Sequence, residues 1–314
     1  MNNNDVWIDE YGVTYSADKK RLIKGNQSLT EYRIIEGCEI IGFWAFHFFH
    51  IQSNLSKIYI PKSVTIIEFG AFANCKKIKE IYLPKGLKTI EGGAFISTNL
   101  ESFYIPNNVS KFEYSFYGCQ KLQEIICNNP YFQSIDGVLF SRDLKTLLAY
   151  PPAKKDSEYY IPNGVTMIGK CAFSSCRNLR TIHIPASVKT ISSSAFYECE
   201  LQNVILPNRV TTIWFDTFQS CRNLTSITIP DSVTSIKSRA FANCTGLTNI
   251  TIPDSVTCIG KAAFAGCSKL KEIHCINPIP PKIGEDCFEG IYKVKCRLFV
   301  PVGSKKAYQA TWGF

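Results

Sequence analysis

Nowhere in the 314-residue chain is there an unbroken apolar run of about 18 residues, so no segment is expected to span a bilayer as a helix. The opening Met1-Asn2-Asn3-Asn4-Asp5 lacks a basic region leading into an apolar one, which is the pattern of an export signal. Two expectations follow: the protein stays in the cytoplasm, or a leader has been removed. Catalytic motifs are missing as well, with no G-x-S-x-G elbow, no Walker loop and no dinucleotide-binding glycine fingerprint. Histidine is scarce, at four residues. His47 and His50 stand three apart, but further ligands are missing, so they are assigned to loop or packing roles. His183 and His274 share an outward strand position away from any nucleophile motif, and Glu285-Asp286 resembles ordinary surface. No active site, cofactor or metal is expected, and an enzyme is the least favoured class.

Hydrophobic residues make up 45% and charged residues 19% of the chain, the balance of a folded protein able to build a core. A net charge of +9 would suggest nucleic acid if the cations were gathered into a stripe, but they are scattered. Their densest column, Lys76, Lys121, Arg177 and Arg222 with Lys269 near it, is expected to be a solvated loop face, and nucleic acid is not an expected partner.

The chain has a strong internal repeat, and this decides the fold. Prolines fall at 61, 84, 106, 162, 185, 207, 230 and 253, at intervals of 22 or 23 apart from one of 56. Each is followed by a Phe, at 72, 95, 116, 173, 196, 218, 241 and 264. Cys comes three residues later, at 75, 119, 176, 199, 221, 244 and 267, with Thr98 in its place once. Then L-x-x-I-x-I precedes the next Pro, as in Leu224, Ile227 and Ile229. Alternation at Ile227-Thr228-Ile229 suits a half-buried strand, and Pro ends it because it has no N–H for a ladder. Val233 to Ile236 makes a second short extended piece, and Ala-Phe turns the chain back. A single coil of this kind cannot bury its own apolar edge, so coils must stack. The recurring letters therefore face inward and the variable ones outward. Degenerate copies at Ile35–Ile60 and Ile283–Val300 bring the expected count to about ten coils.

The fourteen cysteines are explained by the same repeat, since seven share one position and none shows paired C-x-x-C spacing. They are expected to be small buried thiols, with their redox state left open.

The pattern I-P-x-S-V-T-x-I-x-x-x-A-F-x-x-C-x-x-L-x-x-I resembles the BspA-like branch of leucine-rich repeats known from bacterial surface proteins, over about residues 33 to 301. The usual leucine-rich-repeat Asn is absent and the Cys column stands elsewhere in the coil, as in that branch. The resemblance implies a non-catalytic binding scaffold at the cell surface or secreted, serving adhesion or host interaction. An intracellular protein–protein scaffold is the alternative, favoured by the missing leader and the reduced-looking thiols.

Two blocks interrupt the repeat. Gly137-Val138-Leu139-Phe140-Ser141-Arg142-Asp143 matches Gly12-Val13-Thr14-Tyr15-Ser16-Ala17-Asp18, and each block is expected to be a β-hairpin leading into a fresh run of coils. The expected fold is a β-rich, right-handed leucine-rich-repeat solenoid forming one continuous body. Its parts are a hairpin cap at 1–34, coils at 35–126, an inserted hairpin at 127–161, coils at 162–276, and a degenerate coil with a cap at 277–314. The final stretch, Val300 to Tyr308, resembles that family's C-terminal cap, which implies a short helix from about Ser304 covering the last open edge.

Any binding surface is assigned to outward strand side chains. One column contains Tyr59, Tyr82, Tyr104, Tyr160 and His183, and the adjoining column contains Lys57, Glu80 and Glu124. Tyr presents a large apolar face with a hydroxyl, so Tyr59, Tyr82 and Tyr104 form a candidate platform for protein or glycan. The plainer account is that aromatic residues simply suit exposed strands.

Overall fold

The computed structural model describes residues 6–48, 52–114 and 116–313. The chain divides into two compact units, Met1–Asp143 with Leu148–Lys154, and Leu144–Leu147 with Lys155–Phe314. Both are built from the stacked coils of a β-solenoid with little helix, and each side of a coil is set by one part of the repeat.

The front side is the strand before the proline. Ser102–Tyr104 and Glu124–Ile126 pair in parallel in the first unit, and Asn203–Ile205 pairs in parallel with Ser226–Thr228 in the second. The central residue of each, such as Phe103, Ile125, Val204 and Ile227, is buried, while its neighbours face solvent. This is the period-two alternation of a strand with one covered face.

The second side is a two-residue strand from the V-T-x-I segment. Ile66–Ile67 pairs with Thr89–Ile90 in the first unit, and Thr212–Ile213 pairs with Ser235–Ile236 in the second. The third side contains Ala-Phe, and here a backbone device appears that residue patterning did not suggest. The residue two before the Phe has a positive φ, as at Trp44 (53°), Ser194 (58°) and Asp216 (58°). So does the residue two after it, as at Asn74 (62°), Ser97 (55°) and Ser220 (60°). These left-handed residues turn successive peptides toward the neighbouring coil. Phe218 N–H donates to the Ala240 carbonyl at 2.8 Å, and Ser220 N–H to that of Ala242 at 2.8 Å. A third ladder results, and it offsets a left-handed cost of about 1–2 kcal/mol at each non-glycine residue.

Inside, the phenylalanines stack coil on coil. Phe46, Phe72 and Phe95 follow at 5.4 and 5.6 Å in the first unit, and Phe196, Phe218, Phe241 and Phe264 at 5.3, 5.5 and 5.2 Å in the second. Each fully buried ring contributes about 1.5–3 kcal/mol. The cysteines of the repeat position form a parallel column in which Sγ, as in Cys199, Cys221, Cys244 and Cys267, reaches the Phe carbonyl one coil back. The distances are 3.0 Å for Cys221 to Phe196, 3.0 Å for Cys244 to Phe218 and 3.2 Å for Cys267 to Phe241. Thr98 takes this place once, its Oγ1 donating instead to the carbonyl of Phe95 in its own coil at 3.0 Å. All fourteen cysteines are free thiols, and burial pushes those of Cys75 and Cys267 up to about 12.

The interrupting blocks are hairpins with an addition. Val6–Ile8 pairs antiparallel with Thr14–Ser16, and Phe132–Ile135 with Val138–Ser141 around an Asp136-Gly137 turn with both φ positive. That is the two-residue hairpin geometry Asp-Gly favours. A third strand follows in each block, and it starts the second side of the stack. Arg21 and Leu22 pair with Ile40 and Ile41, and Thr146 and Leu147 with Met167 and Ile168. The match between the blocks extends to side chains, since Ser16 Oγ donates to Asp18 at 2.6 Å and Ser141 Oγ to Asp143 at 2.6 Å. The extra strands bring the turns to about 12, against the expected ten or so.

The only α-helix among the described residues, Lys305–Trp312, begins one residue after Ser304. Trp312 packs its ring 5.1 Å from Phe288, ending the second unit's stack, and donates from Nε1 to the Pro281 carbonyl at 3.1 Å. Tyr308 donates to the Asn277 carbonyl at 2.7 Å.

Candidate functional site

In the first unit the front strands place Tyr59 and Tyr82 side by side through a parallel bridge, with Tyr104 at the same position of its strand. Tyr82 is 78% exposed and Tyr104 55%, while Tyr59 is half-buried because its ring is flanked by cations. The Arg33 guanidinium lies 4.3 Å and the Lys57 ammonium 4.8 Å from the Tyr59 ring centre. Such contacts are worth about 0.5–1 kcal/mol when exposed, enough to order the ring but not to dominate folding. Lys57 also lies 3.9 Å from Glu31, and Tyr82 donates its hydroxyl to Glu80 at 3.2 Å. Arg33, Lys57, Tyr59, Lys79, Glu80 and Tyr82 line an open depression of about 570 Å³.

Glu124 does not join this group. Its strand meets the inserted hairpin, where Ile125 N–H donates to the Gly137 carbonyl at 2.9 Å. A methyl group on Gly137 would come within 3.0 Å of the Glu124 Cβ, and the residue is held left-handed at φ 77°. Glu124 faces a separate depression with Glu101, Asp136 and Lys154.

Tyr160 and His183 belong to the second unit. Their rings stack at 4.0 Å and 4° on adjacent strands, and both bond Glu158, His183 Nε2 at 2.6 Å and the Tyr160 hydroxyl at 3.1 Å. The bond from His183 holds the Glu158 carboxyl below its ordinary value, and that carboxylate in turn raises Tyr160. A second group of the same design lies further along the unit. His274 stacks on Phe299 at 4.4 Å and 4°, and Glu272 pairs with His274 at 3.2 Å and Arg297 at 2.5 Å. The outward residues between the two groups are aliphatic or small: Ile205, 72% exposed, then Thr228 and Thr251.

Glu158, Arg297 and Phe299 were not singled out from sequence, and Glu272 was placed only as an outward residue of the adjoining column. The usable signal was the i, i+2 alternation, which puts Glu158 on the same strand face as Tyr160 and Glu272 on the same face as His274. An aromatic cluster on the third side of the first unit was also missed. Phe43, 61% exposed, stacks on Phe69 at 5.7 Å, and Trp44 lies 5.4 Å from Phe69. Gly70 makes room for it, since a methyl group there would lie 2.6 Å from the Trp44 ring.

His47 is a packing residue, 4.4 Å from the Trp44 ring and 3.2 Å from the Ala73 carbonyl, and His50 lies outside the described residues. Among the described residues there is no cluster of three or more His, Cys, Asp or Glu able to hold a metal, and no helix long and apolar enough to cross a membrane.

The family model described as "BspA type Leucine rich repeat region (6 copies)" matches residues 45–150, 153–271 and 211–300. No curated protein matches the chain. Among solved structures, a leucine-rich repeat protein from Eubacterium ventriosum superposes with a TM-score of 0.69 at 22% identity, over 92% of this chain and 93% of its own. A leucine rich cell surface protein from Faecalibacterium prausnitzii gives 0.62 at 24% identity, over 87% and 95%. The pneumococcal vaccine antigen PcpA gives 0.60 at 17% identity, over 99% and 96%. At these identities the likeness establishes the fold.

Proposed function

Because the chain belongs to the BspA-type leucine-rich repeat family, we propose that it is a non-catalytic binding scaffold whose front strand face holds a protein or glycan ligand. The observation that carries this reading is the row of half-buried Tyr59 and exposed Tyr82 and Tyr104, on coils whose inward positions are committed to packing. Aromatic faces beside Arg33, Lys57 and Glu80 supply both contact area and hydrogen bonds. The same reading puts the protein at the cell surface or in the secreted fraction, in an adhesion or host-interaction role. It draws on the Faecalibacterium protein, described as a cell surface protein, and on the pneumococcal one, described as a vaccine antigen.

The experiment is a glycan and protein array probed with the intact chain and with a Tyr59→Ser/Tyr82→Ser/Tyr104→Ser variant of unchanged circular dichroism and melting temperature. Ligands that bind the wild type should lose at least about tenfold in affinity, about 1.4 kcal/mol. Equal binding by the variant would remove the row from the site. A second reading, an intracellular scaffold, is favoured by the fourteen free thiols, which suit a reducing compartment. Protease treatment of intact producing cells separates the two, since only a surface protein is cut.

A further inference from the structure

The C-terminal helix covers one side of the last coil and leaves another open. Its contacts reach Phe288 in the core and the carbonyls of Pro281 and Asn277, beside the second-side strand Lys282–Ile283. The last front strand, Arg297–Phe299, pairs in parallel with Glu272–Cys275 on one side, and among the described residues no strand pairs with it on the other.

The repeat shows which groups that open edge presents. In coil after coil the residue following the front strand donates forward to the next strand. Ile105 donates to Ile126 at 2.9 Å, Ile161 to His183 at 3.0 Å and Leu206 to Thr228 at 3.2 Å. The first strand residue points backward instead, as when Arg297 donates to Lys271 at 2.7 Å. By this alternation the N–H groups of Leu298 and Val300, with the carbonyls of Cys296 and Leu298, face away from the body. Burial agrees. Ile250 and Ile273 are buried at the position of Leu298, and Ile252 and Cys275 at that of Val300, yet Leu298 and Val300 themselves are only half-buried. Val302, just beyond, is fully exposed at 106%. Leu298, Val300, Val302, Tyr308 and Gln309 line an open groove of about 760 Å³ between this strand and the helix.

We propose that this groove is a docking site for an extended peptide segment that adds a parallel strand to the edge. The segment is one whose alternate residues are aliphatic, in the I-x-I spacing of the chain's own coils. The docked strand continues the parallel pairing that already joins neighbouring front strands, as between Asn249–Ile252 and Glu272–Cys275 and between Glu272–Cys275 and Arg297–Phe299. Its main chain satisfies the open ladder groups, and its two aliphatic side chains pack on Leu298, Val300 and Tyr308, as Ile250 and Ile252 do on their neighbours. In the parallel register, the segment's first and third amides donate to Cys296 and Leu298, and its second and fourth face outward.

The test uses the whole chain, labelled for amide exchange, with an end-blocked synthetic peptide of residues Thr225–Asp231 as probe. At millimolar peptide, exchange at Leu298 and Val300 is expected to slow at least about tenfold. N-methylation of the peptide at Ser226 and Thr228 should abolish the protection, and N-methylation at Ile227 and Ile229 should preserve it. A Val300→Pro variant, which removes only an outward N–H, should keep its fold and lose the protection at Leu298. The proposal is overturned if Leu298 and Val300 gain no protection, or if both methylated peptides act alike. It is overturned equally if these amides are already protected without peptide and become free on dilution, which would make a second copy the occupant.

Discussion

Phe72 in the first unit and Phe218 in the second are both fully buried, each stacked on a Phe from either neighbouring coil at 5.3 to 5.6 Å. On the front strands the units differ. The first shows Tyr59, Tyr82 and Tyr104, while the second shows Ile205, Thr228 and Thr251 between two His–aromatic stacks. Inward positions are constrained by close packing to native density, where one methylene is felt. Outward positions carry no such constraint, so their chemistry is free to follow a ligand. On the proposed binding reading, it is the side chains that vary between units that would meet a ligand.

Breaking the shared interior should have the largest effect. Phe72→Ala and Phe218→Ala should each cost about 3–5 kcal/mol by chemical denaturation. Near-equal costs would support one design in both units, and a negligible cost in either would refute it there. A smaller change sharpens the comparison on the third side. Ser220 is left-handed at φ 60°, while Gly118 and Gly266 hold the equivalent position at 74° and 71°. Ser220→Gly should raise stability by up to about 1 kcal/mol, since glycine adopts this backbone without strain, and a loss would mean that the serine side chain matters more.

The smallest expected effect lies on the second unit's surface. Glu158 is held below its ordinary value by His183, so its carboxylate binds fewer protons folded than unfolded. Its stabilising contribution is full above the unfolded carboxylate value and is lost as pH falls through the lowered folded one. In His183→Gln, the Glu158 titration followed by carbon-detected NMR should move upward toward the ordinary range. No movement would separate Glu158 from His183 in solution.

Much of the fold was legible because the repeat writes its constraints many times. Pro, Phe and Cys recur wherever a strand must end, a core must be filled or a small buried group is needed, while the helix after Ser304 was expected only through the resemblance to the family's C-terminal cap. The left-handed pairs around the phenylalanines were not legible, because beside the Asn and Gly at some of these positions stand Trp44, Glu198 and Arg239, which do not advertise a positive φ. That geometry is imposed by the ladder to the next coil, a tertiary effect. The parallel pairing of Arg21–Lys24 and Thr146–Ala149 with the coils that follow was hidden, because it forms only when those coils stack on the blocks. Of the candidate surface, Tyr59, Tyr82 and Tyr104 could be aligned from spacing alone. The position of Glu124 beside a hairpin turn and the bond of Glu158 to His183 depend on contacts between coils that alternation does not encode.

The most direct measurement is a saturation scan of folding stability across residues 162–276, read by resistance to proteolysis. Recurring letters inside and variable letters outside predict destabilisation peaks at Phe173, Phe196, Phe218, Phe241 and Phe264, at the cysteines beside them and at the central strand residues. The peaks should repeat every 22 or 23 residues, with near-neutral values at His183, Ile205, Thr228 and Thr251. A profile without that period, or one whose largest costs fall on the outward column, would contradict it.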